Sequence, residues 1–246
     1  MLAKRIITTL MLKEGILFRS KNFIPDYRYT LNFIDMWSVD EIVLLDITRN
    51  LSFQDEEKKI FLKKKYNIPN QYKVISYIGR IDADKGIQNL IKSFEKLRLK
   101  IDNILLLLVG IDEMNIKIYI ANIKKKIAGN ILIFNHSNNP EEIFNISDIF
   151  CLPSKREGFG NTVIESSACE VPVVGSDIFG LQSSLINELN GLTFEVNNVD
   201  DLTKKLSMLL NDKNLCEKLG KKGREYVLKN FRKQDVFNSI KSLILN

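Results

Sequence analysis

From residue 72 onward the chain alternates short apolar runs with longer segments whose apolar positions recur every three or four residues. Residues 74–78 form an apolar run closed by Gly79, and Ile87, Leu90, Ile91, Phe94 and Leu97 follow at helical spacing. Residues 104–109 are continuously aliphatic and stop at Gly110, the pattern of a strand buried on both faces. Ile116, Ile120, Ile123 and Ile127 mark a second helix, which Gly129 ends. The series continues with a strand over 131–134, a helix over 140–147 opened by Pro140, and a strand over 149–152. A helix over 162–169, a strand over 172–175 and a strand over 192–196 follow, before helices in a basic tail.

Repeated strand–helix units with apolar strands predict an α/β fold, a doubly wound parallel sheet covered by helices on both faces. Ligands of such sheets bind beyond the carboxyl ends of the strands. The two loops there that are richest in glycine and polar residues span 79–86 and 153–161. Residues 1–50 do not extend the pattern backwards. They read as a strand over 6–12, a turn at Gly15, a strand over 16–18, a loop, a short helix over 31–37 and a strand over 42–47. Residues 51–65, rich in lysine and glutamate, read as a linker helix, so the expected division is 1–50, 51–65 and 66–246.

Composition narrows the class. A chain of 246 residues buries enough surface to need no disulfide or metal staple. Cys151, Cys169 and Cys216 form no CxxC pair, which points to reduced thiols, a cytosolic setting and no zinc ribbon. The longest uncharged apolar stretch, 104–111, is under half a membrane span, and the N-terminal apolar run lacks a small-residue cleavage site. The net charge is +6, and residues 200–246 carry eleven basic against six acidic side chains. No nucleic-acid-binding signature accompanies that charge. A solvated helix face explains it most simply, and peripheral contact with an anionic membrane surface is the alternative.

The densest chemistry lies in Pro153-Ser154-Lys155-Arg156-Glu157-Gly158-Phe159-Gly160-Asn161-Thr162-Val163-Ile164-Glu165. Two carboxylates, Glu157 and Glu165, bracket a glycine turn that leads into a helix, whose first N–H groups suit a diphosphate. Carboxylates at the rim accept hydrogen bonds from sugar hydroxyls. In Gly79-Arg80-Ile81-Asp82-Ala83-Asp84-Lys85-Gly86, Arg80 and Lys85 converge on the charge that develops on a departing diphosphate. Asp82 and Asp84 spell a metal-like D-x-D, but beside two bases they read as a capped turn, and no metal is expected. His136, Cys169 and Trp37 read as structural residues.

Together these segments resemble the donor half of a retaining GT-B glycosyltransferase, "glycosyl transferases group 1" (family 4). The likeness runs from about residue 66 to the C-terminus, through G-R-x(4)-K-G at Gly79–Gly86, E-G-F-G-x(4)-E at Glu157–Glu165, Pro172-Val173-Val174 and Asn190-Gly191-Leu192. The resemblance implies that Arg80 and Lys85 bind the donor diphosphate beside Gly79. It gives Glu157 the hydroxyls of the sugar and Glu165 the ribose. The backbone at Gly158, Phe159, Gly160 and Asn161 would approach sugar and phosphates, with Thr162 near the diphosphate. It further implies a nucleotide diphosphate sugar as donor, UDP-linked, with no cofactor, and a hexose or N-acetylhexosamine passed to a lipid-linked glycan at the cytoplasmic membrane face. Glu170, Phe179 and Asn135 stand where the family often has glycine.

Residues 2–50 show a second likeness. Leu2-Ala3-Lys4-Arg5-Ile6-Ile7, Lys13-Glu14-Gly15 and Asp40-Glu41-Ile42-Val43-Leu44-Leu45-Asp46-Ile47-Thr48 resemble the opening of the cyclase subunit of imidazole-glycerol-phosphate synthase, a (β/α)8 barrel. Met11 stands at the position of that family's first catalytic aspartate, so cyclase activity is not expected. The front end therefore reads as the product of a gene fusion or deletion. The expected transferase then lacks its acceptor domain, which a separate chain would supply. The rivals are a non-catalytic nucleotide-sugar-binding module, a cyclase-type lyase or accessory subunit, and a glycosidase with Glu157 and Glu165 as its acid pair.

Overall fold

The computed structural model describes residues 56–231 apart from 124–126, 128 and 136–138, together with the backbone of five short strands nearer the N-terminus. The chain divides into two compact units, Asn50–Val227 and a second made of Met1–Arg49 with Leu228–Asn246. In the second unit β1 (Ile7–Thr9) pairs in parallel with β5 (Glu41–Val43). The strands β2 (Met11–Lys13), β3 (Ile16–Lys21) and β4 (Ile24–Asp26) form an antiparallel sheet in that order. The single strand expected over 6–12 is thus two, because Met11–Lys13 folds back on Ile16–Phe18 while Ile7–Thr9 joins another partner. The strand expected over 16–18 continues to Lys21, and Ile24–Asp26 is a strand where a loop was expected. The helix expected over 31–37, with Trp37, lies outside the described residues.

In the larger unit six strands lie parallel: β6 (Lys73–Ile78), β7 (Ile104–Val109), β8 (Ile131–Phe134), β9 (Ile149–Leu152), β10 (Val173–Ser176) and β11 (Gly191–Phe194). Their order across the sheet is β11-β10-β9-β6-β7-β8. The chain winds outward from β6 to β8, returns to the other side of β6 and winds outward again. The winding reverses between β6 and β9, which share the register Ile75↔Ile149 and Ser76↔Phe150. The loops that leave these two neighbours diverge and open a crevice. They are 79–86 and 153–161, the two that the sequence marks as richest.

Strand periodicity explains the layers. On β7, Ile104, Leu106 and Leu108 join the larger apolar cluster with Ile87, Leu90, Phe94, Leu202 and Leu206. Leu105, Leu107 and Val109 join a smaller cluster on the opposite face with Leu62, Ile143 and Ile146. Among the described residues seven helices flank the sheet: α1 (Glu56–Lys65), α2 (Ile87–Arg98), α3 (Ile116–Ala121), α4 (Pro140–Ile146), α5 (Asn161–Ala168), α6 (Val199–Asn211) and α7 (Lys213–Asn230). The helix expected over 116–127 is shorter. It ends at Ala121, where the Asn122 N–H turns back to the carbonyls of Tyr119 and Ile120. Ile123 and Ile127 still pack on the core.

Helix α1 inverts the usual rule. Its lysines Lys59 and Lys63 are buried, while Phe61 is 67% exposed. Lys59 Nζ reaches Asp148 Oδ1 at 2.7 Å, and Asp148 Oδ2 accepts the Val74 N–H at 2.7 Å, so one carboxylate joins α1, β6 and the start of β9. Lys63 donates to the carbonyls of Tyr72 at 2.7 Å and Asn70 at 3.2 Å, and burial pulls its pKa below the usual lysine range. Lys65 and the Tyr66 hydroxyl both bond Glu142 at the start of α4.

Leu106 sits at the centre of the middle layer and is fully buried. Leu106→Ala removes contacts on a face with no room to collapse. Urea unfolding is expected to show a loss of about 2–5 kcal/mol.

Candidate functional site

The crevice is built by close backbone approaches. Gly86 adopts the left-handed conformation (φ +66°), and a Cβ there would lie 2.1 Å from the Pro153 carbonyl oxygen. Only glycine permits that approach, and it brings the two loops into contact. The Lys155 N–H donates to the Asp84 carbonyl at 2.7 Å, one residue before Lys85. The Tyr77 hydroxyl, wholly buried at the end of β6, donates to the Arg80 carbonyl at 2.6 Å and fixes the first turn of its loop. Burial, with the charges of Glu157 and Asp82, raises the pKa of that hydroxyl. Ile81 in turn pairs with the loop after β7, through its N–H to Ile111 and its carbonyl to the Glu113 N–H.

Each predicted base meets a carboxylate. Lys85 Nζ lies 2.6 Å from Glu157 Oε1 across the crevice, and both side chains are mostly covered, at 17% and 15% exposure. Arg80, 61% exposed, lies 3.3 Å from Asp82 and 3.4 Å from Glu113. Arg156 pairs with Asp84, and this hydrogen bond holds the Asp84 carboxyl below the usual carboxylate range. Asp82 Oδ1 accepts the N–H groups of Asp84 and Lys85 at 2.9 and 3.1 Å, capping a short 3-10 turn at Ala83–Lys85. The two aspartates of the D-x-D are thus engaged with N–H groups and arginines. Among the described residues no group of three or more His, Cys, Asp or Glu could hold a metal ion.

On the other loop, Gly160 stands in the left-handed region (φ +77°) and opens α5, so Asn161 and Thr162 occupy its first turn. The N–H groups of Asn161 and Thr162 are not used within the helix, whereas the Val163 N–H already donates to the Gly160 carbonyl at 2.9 Å. The Phe159 carbonyl accepts the Ser184 hydroxyl at 2.5 Å. Ser184 is itself held by Asn190, whose buried amide donates to its carbonyl at 2.7 Å and to Ser167 Oγ at 3.1 Å. Glu165, on the second turn of α5, is half-buried, and its carboxylate makes no hydrogen bond or ion pair among the described residues. Burial pushes its pKa above the usual glutamate range.

The structure brings Lys85 and Glu157 into direct contact and places Gly79, Arg80, Gly158, Phe159, Gly160, Asn161, Thr162 and Glu165 on the loops and helix that bound the crevice. Tyr77, Glu113, Arg156 and Ser184 carry no motif in the sequence. They matter because they hold the loops, and except for Tyr77, which bonds Arg80, their partners are distant in the chain. All three cysteines are free thiols, and burial raises Cys169 and Cys216 to about 12. His136 lies outside the described residues. No helix among the described residues is long and apolar enough to cross a membrane.

The family model described as "Glycosyl transferases group 1" matches residues 58–226. The capsular polysaccharide biosynthesis glycosyltransferase CapM of Staphylococcus aureus is 33% identical over 199 residues, covering 78% of this chain and 50% of that protein. The N,N'-diacetylbacillosaminyl-diphospho-undecaprenol alpha-1,3-N-acetylgalactosaminyltransferase of Campylobacter jejuni is 30% identical over 176 residues, 72% of this chain and 45% of that protein. Among solved structures, Anabaena Alr3699/HepE in complex with UDP and glucose superposes with a TM-score of 0.71 at 16% identity, over 84% of this chain and 56% of that one. That likeness is one of fold. The chain spans about half the length of the curated relatives it matches.

An unpartnered, half-buried Glu165 has a signature in solution. Its raised folded-state pKa favours the neutral acid, so its ionisation opposes folding as pH rises from below the unfolded value of about 4.3 through the folded one. Glu165→Gln is expected to raise the melting temperature at pH 7 by about 1–3 °C. The gain should vanish below pH 4, where the wild-type side chain is neutral too. Thermal melts of both proteins from pH 4 to 8 check this, and a gain that grows toward acid pH would contradict it.

Proposed function

The chain belongs to the glycosyl transferases group 1 family, and from that membership we propose that its crevice binds a nucleotide diphosphate sugar, UDP-linked, for glycosyl transfer. The observation that carries this reading is the Lys85–Glu157 pair, held across the crevice beside the open end of α5. A lysine and a carboxylate already in contact can exchange their mutual bond for a phosphate oxygen and a sugar hydroxyl. Arg80, with its guanidinium in solvent, adds a planar fork for the same diphosphate. The N–H groups at Gly160, Asn161 and Thr162 give the phosphates a positive helix end. Glu165 accepts from the ribose hydroxyls, which would relieve its lack of a partner.

In transfer, the bond from the anomeric carbon to the diphosphate oxygen breaks, and that carbon bonds an acceptor hydroxyl oxygen, whose proton passes to the departing diphosphate. The leaving diphosphate gains negative charge, and Arg80 and Lys85 neutralise it, so the step needs no metal. The sugar keeps its anomeric configuration, as in the retaining enzymes that the chain resembles. We read the sugar as a hexose or N-acetylhexosamine and the acceptor as a lipid-linked glycan, since the Staphylococcus aureus relative is named for capsular polysaccharide and the Campylobacter jejuni relative for a diphospho-undecaprenol acceptor. This would place the protein in the cytoplasm, at the inner membrane face. We further read residues 1–50 as a cyclase-barrel opening joined by gene fusion, a reading that the parallel pairing of β1 with β5 supports.

A second reading is a non-catalytic nucleotide-sugar-binding module, since the Lys85–Glu157 pair beside the open end of α5 serves donor binding without turnover equally well.

Calorimetric titration with UDP tests the donor site. The wild-type chain is expected to bind UDP, unchanged by EDTA. Lys85→Ala and Glu165→Ala should each weaken binding by about ten- to a hundredfold, the loss of one charge-assisted hydrogen bond. A wild type that ignores UDP sinks the donor reading, and equal binding by Glu165→Ala removes the ribose role. Transfer of radiolabelled sugar to a lipid-linked acceptor separates turnover from binding alone.

A further inference from the structure

Four contacts fasten the crevice loops together. Gly86 closes on the Pro153 carbonyl, Asp84 receives the Lys155 N–H, Asp84 pairs with Arg156, and Lys85 pairs with Glu157. The two ion pairs are adjacent rungs, 84 with 156 and 85 with 157. Their environments differ. Lys85 and Glu157 are mostly covered, whereas Asp84 is 49% and Arg156 68% exposed. An exposed pair adds little to global stability.

The inner rung cannot survive donor binding on the reading above. Lys85 must turn to the diphosphate and Glu157 to the sugar, and their mutual bond then breaks. At that moment the outer rung is the charged tie left between the loops. Resting on the donor-site reading, we propose that Asp84 and Arg156 are positioning residues, a clasp that keeps the loops after β6 and β9 in register while Lys85 and Glu157 separate onto the donor. Neither touches the donor. Arg156 is engaged by Asp84, and Asp84 carries a charge that a diphosphate repels. Their effect on binding is preorganisation: the clasp removes the cost of aligning two loops each time a donor enters.

The test compares the full chain with Asp84→Asn, Arg156→Gln and the exchange Asp84→Arg/Arg156→Asp, by UDP titration and by amide hydrogen exchange of the unliganded proteins. Each single variant is expected to weaken UDP binding by about three- to tenfold, with an unchanged melting temperature and faster exchange at 155–161. The exchange variant should recover both readouts, as a coupled pair does. Single variants that bind UDP as the wild type does and exchange no faster overturn the clasp. So does tighter binding by Asp84→Asn beside weaker binding by Arg156→Gln, because Arg156 would then contact the diphosphate itself. If the wild type binds no UDP, the donor reading falls. Faster exchange in the single variants, restored by the exchange variant, would still support the register role.

Discussion

The site depends on the reversal of winding between β6 and β9. Every other neighbouring pair in this sheet is joined by a crossover that also covers it. At this one junction the connections depart on opposite sides, and the paired register is only two residues long, Ile75 with Ile149 and Ser76 with Phe150. The carboxyl ends of the two strands are left open, and whatever closes the gap must come from loops. Glycine at 86, the carbonyl of Pro153 and the pairs between the loops are the answer of this sequence to that gap.

Charge is arranged around the gap so that Arg80, Lys85 and Arg156 each meet a carboxylate and none is sealed away. Arg80 shares two carboxylates at long range in solvent, whereas Lys85 has one at short range under cover. The first arrangement yields to a phosphate at small cost, because exposed pairs are weak. The second keeps a desolvated ammonium compensated until a ligand replaces its partner. Glu165 takes the opposite course and stays half-buried without a partner. Buried acid without compensation lowers stability, which is the usual cost of a surface kept ready for a ligand.

The six strands of the parallel sheet are legible because glycine or proline bounds nearly all of them, and their observed limits fall within one or two residues of the apolar runs; nearer the N-terminus, where the run over 6–12 splits into two strands, the pattern is not enough. Both glycine-rich loops were readable for the same reason, and so were the bases and acids on them. What could not be read was partnership. Asp84 and Arg156 are 72 residues apart. Nothing in either segment says that β9 returns beside β6. Tyr77 and Ser184 are equally silent, since a hydroxyl that holds a backbone carbonyl leaves no spacing rule. Helix α1 was misjudged in kind: Glu-Glu-Lys-Lys-Ile-Phe-Leu-Lys-Lys-Lys has no apolar stripe and reads as a connector, yet it is packed against the sheet. Buried lysines that cap carbonyls defeat any pattern that equates charge with solvent.

That helix bears on where the folding unit starts. Leu62 belongs to the same apolar cluster as Val74, Leu105 and Leu107, and Lys59 supplies the counter-charge for Asp148 at the root of β9. A protein begun at Tyr66 would keep every residue of the crevice but strip one face of the sheet. It would leave a carboxylate without its ammonium and a hydrophobic surface open to self-association. The residues that look most dispensable to chemistry are therefore part of the packing on which the domain rests.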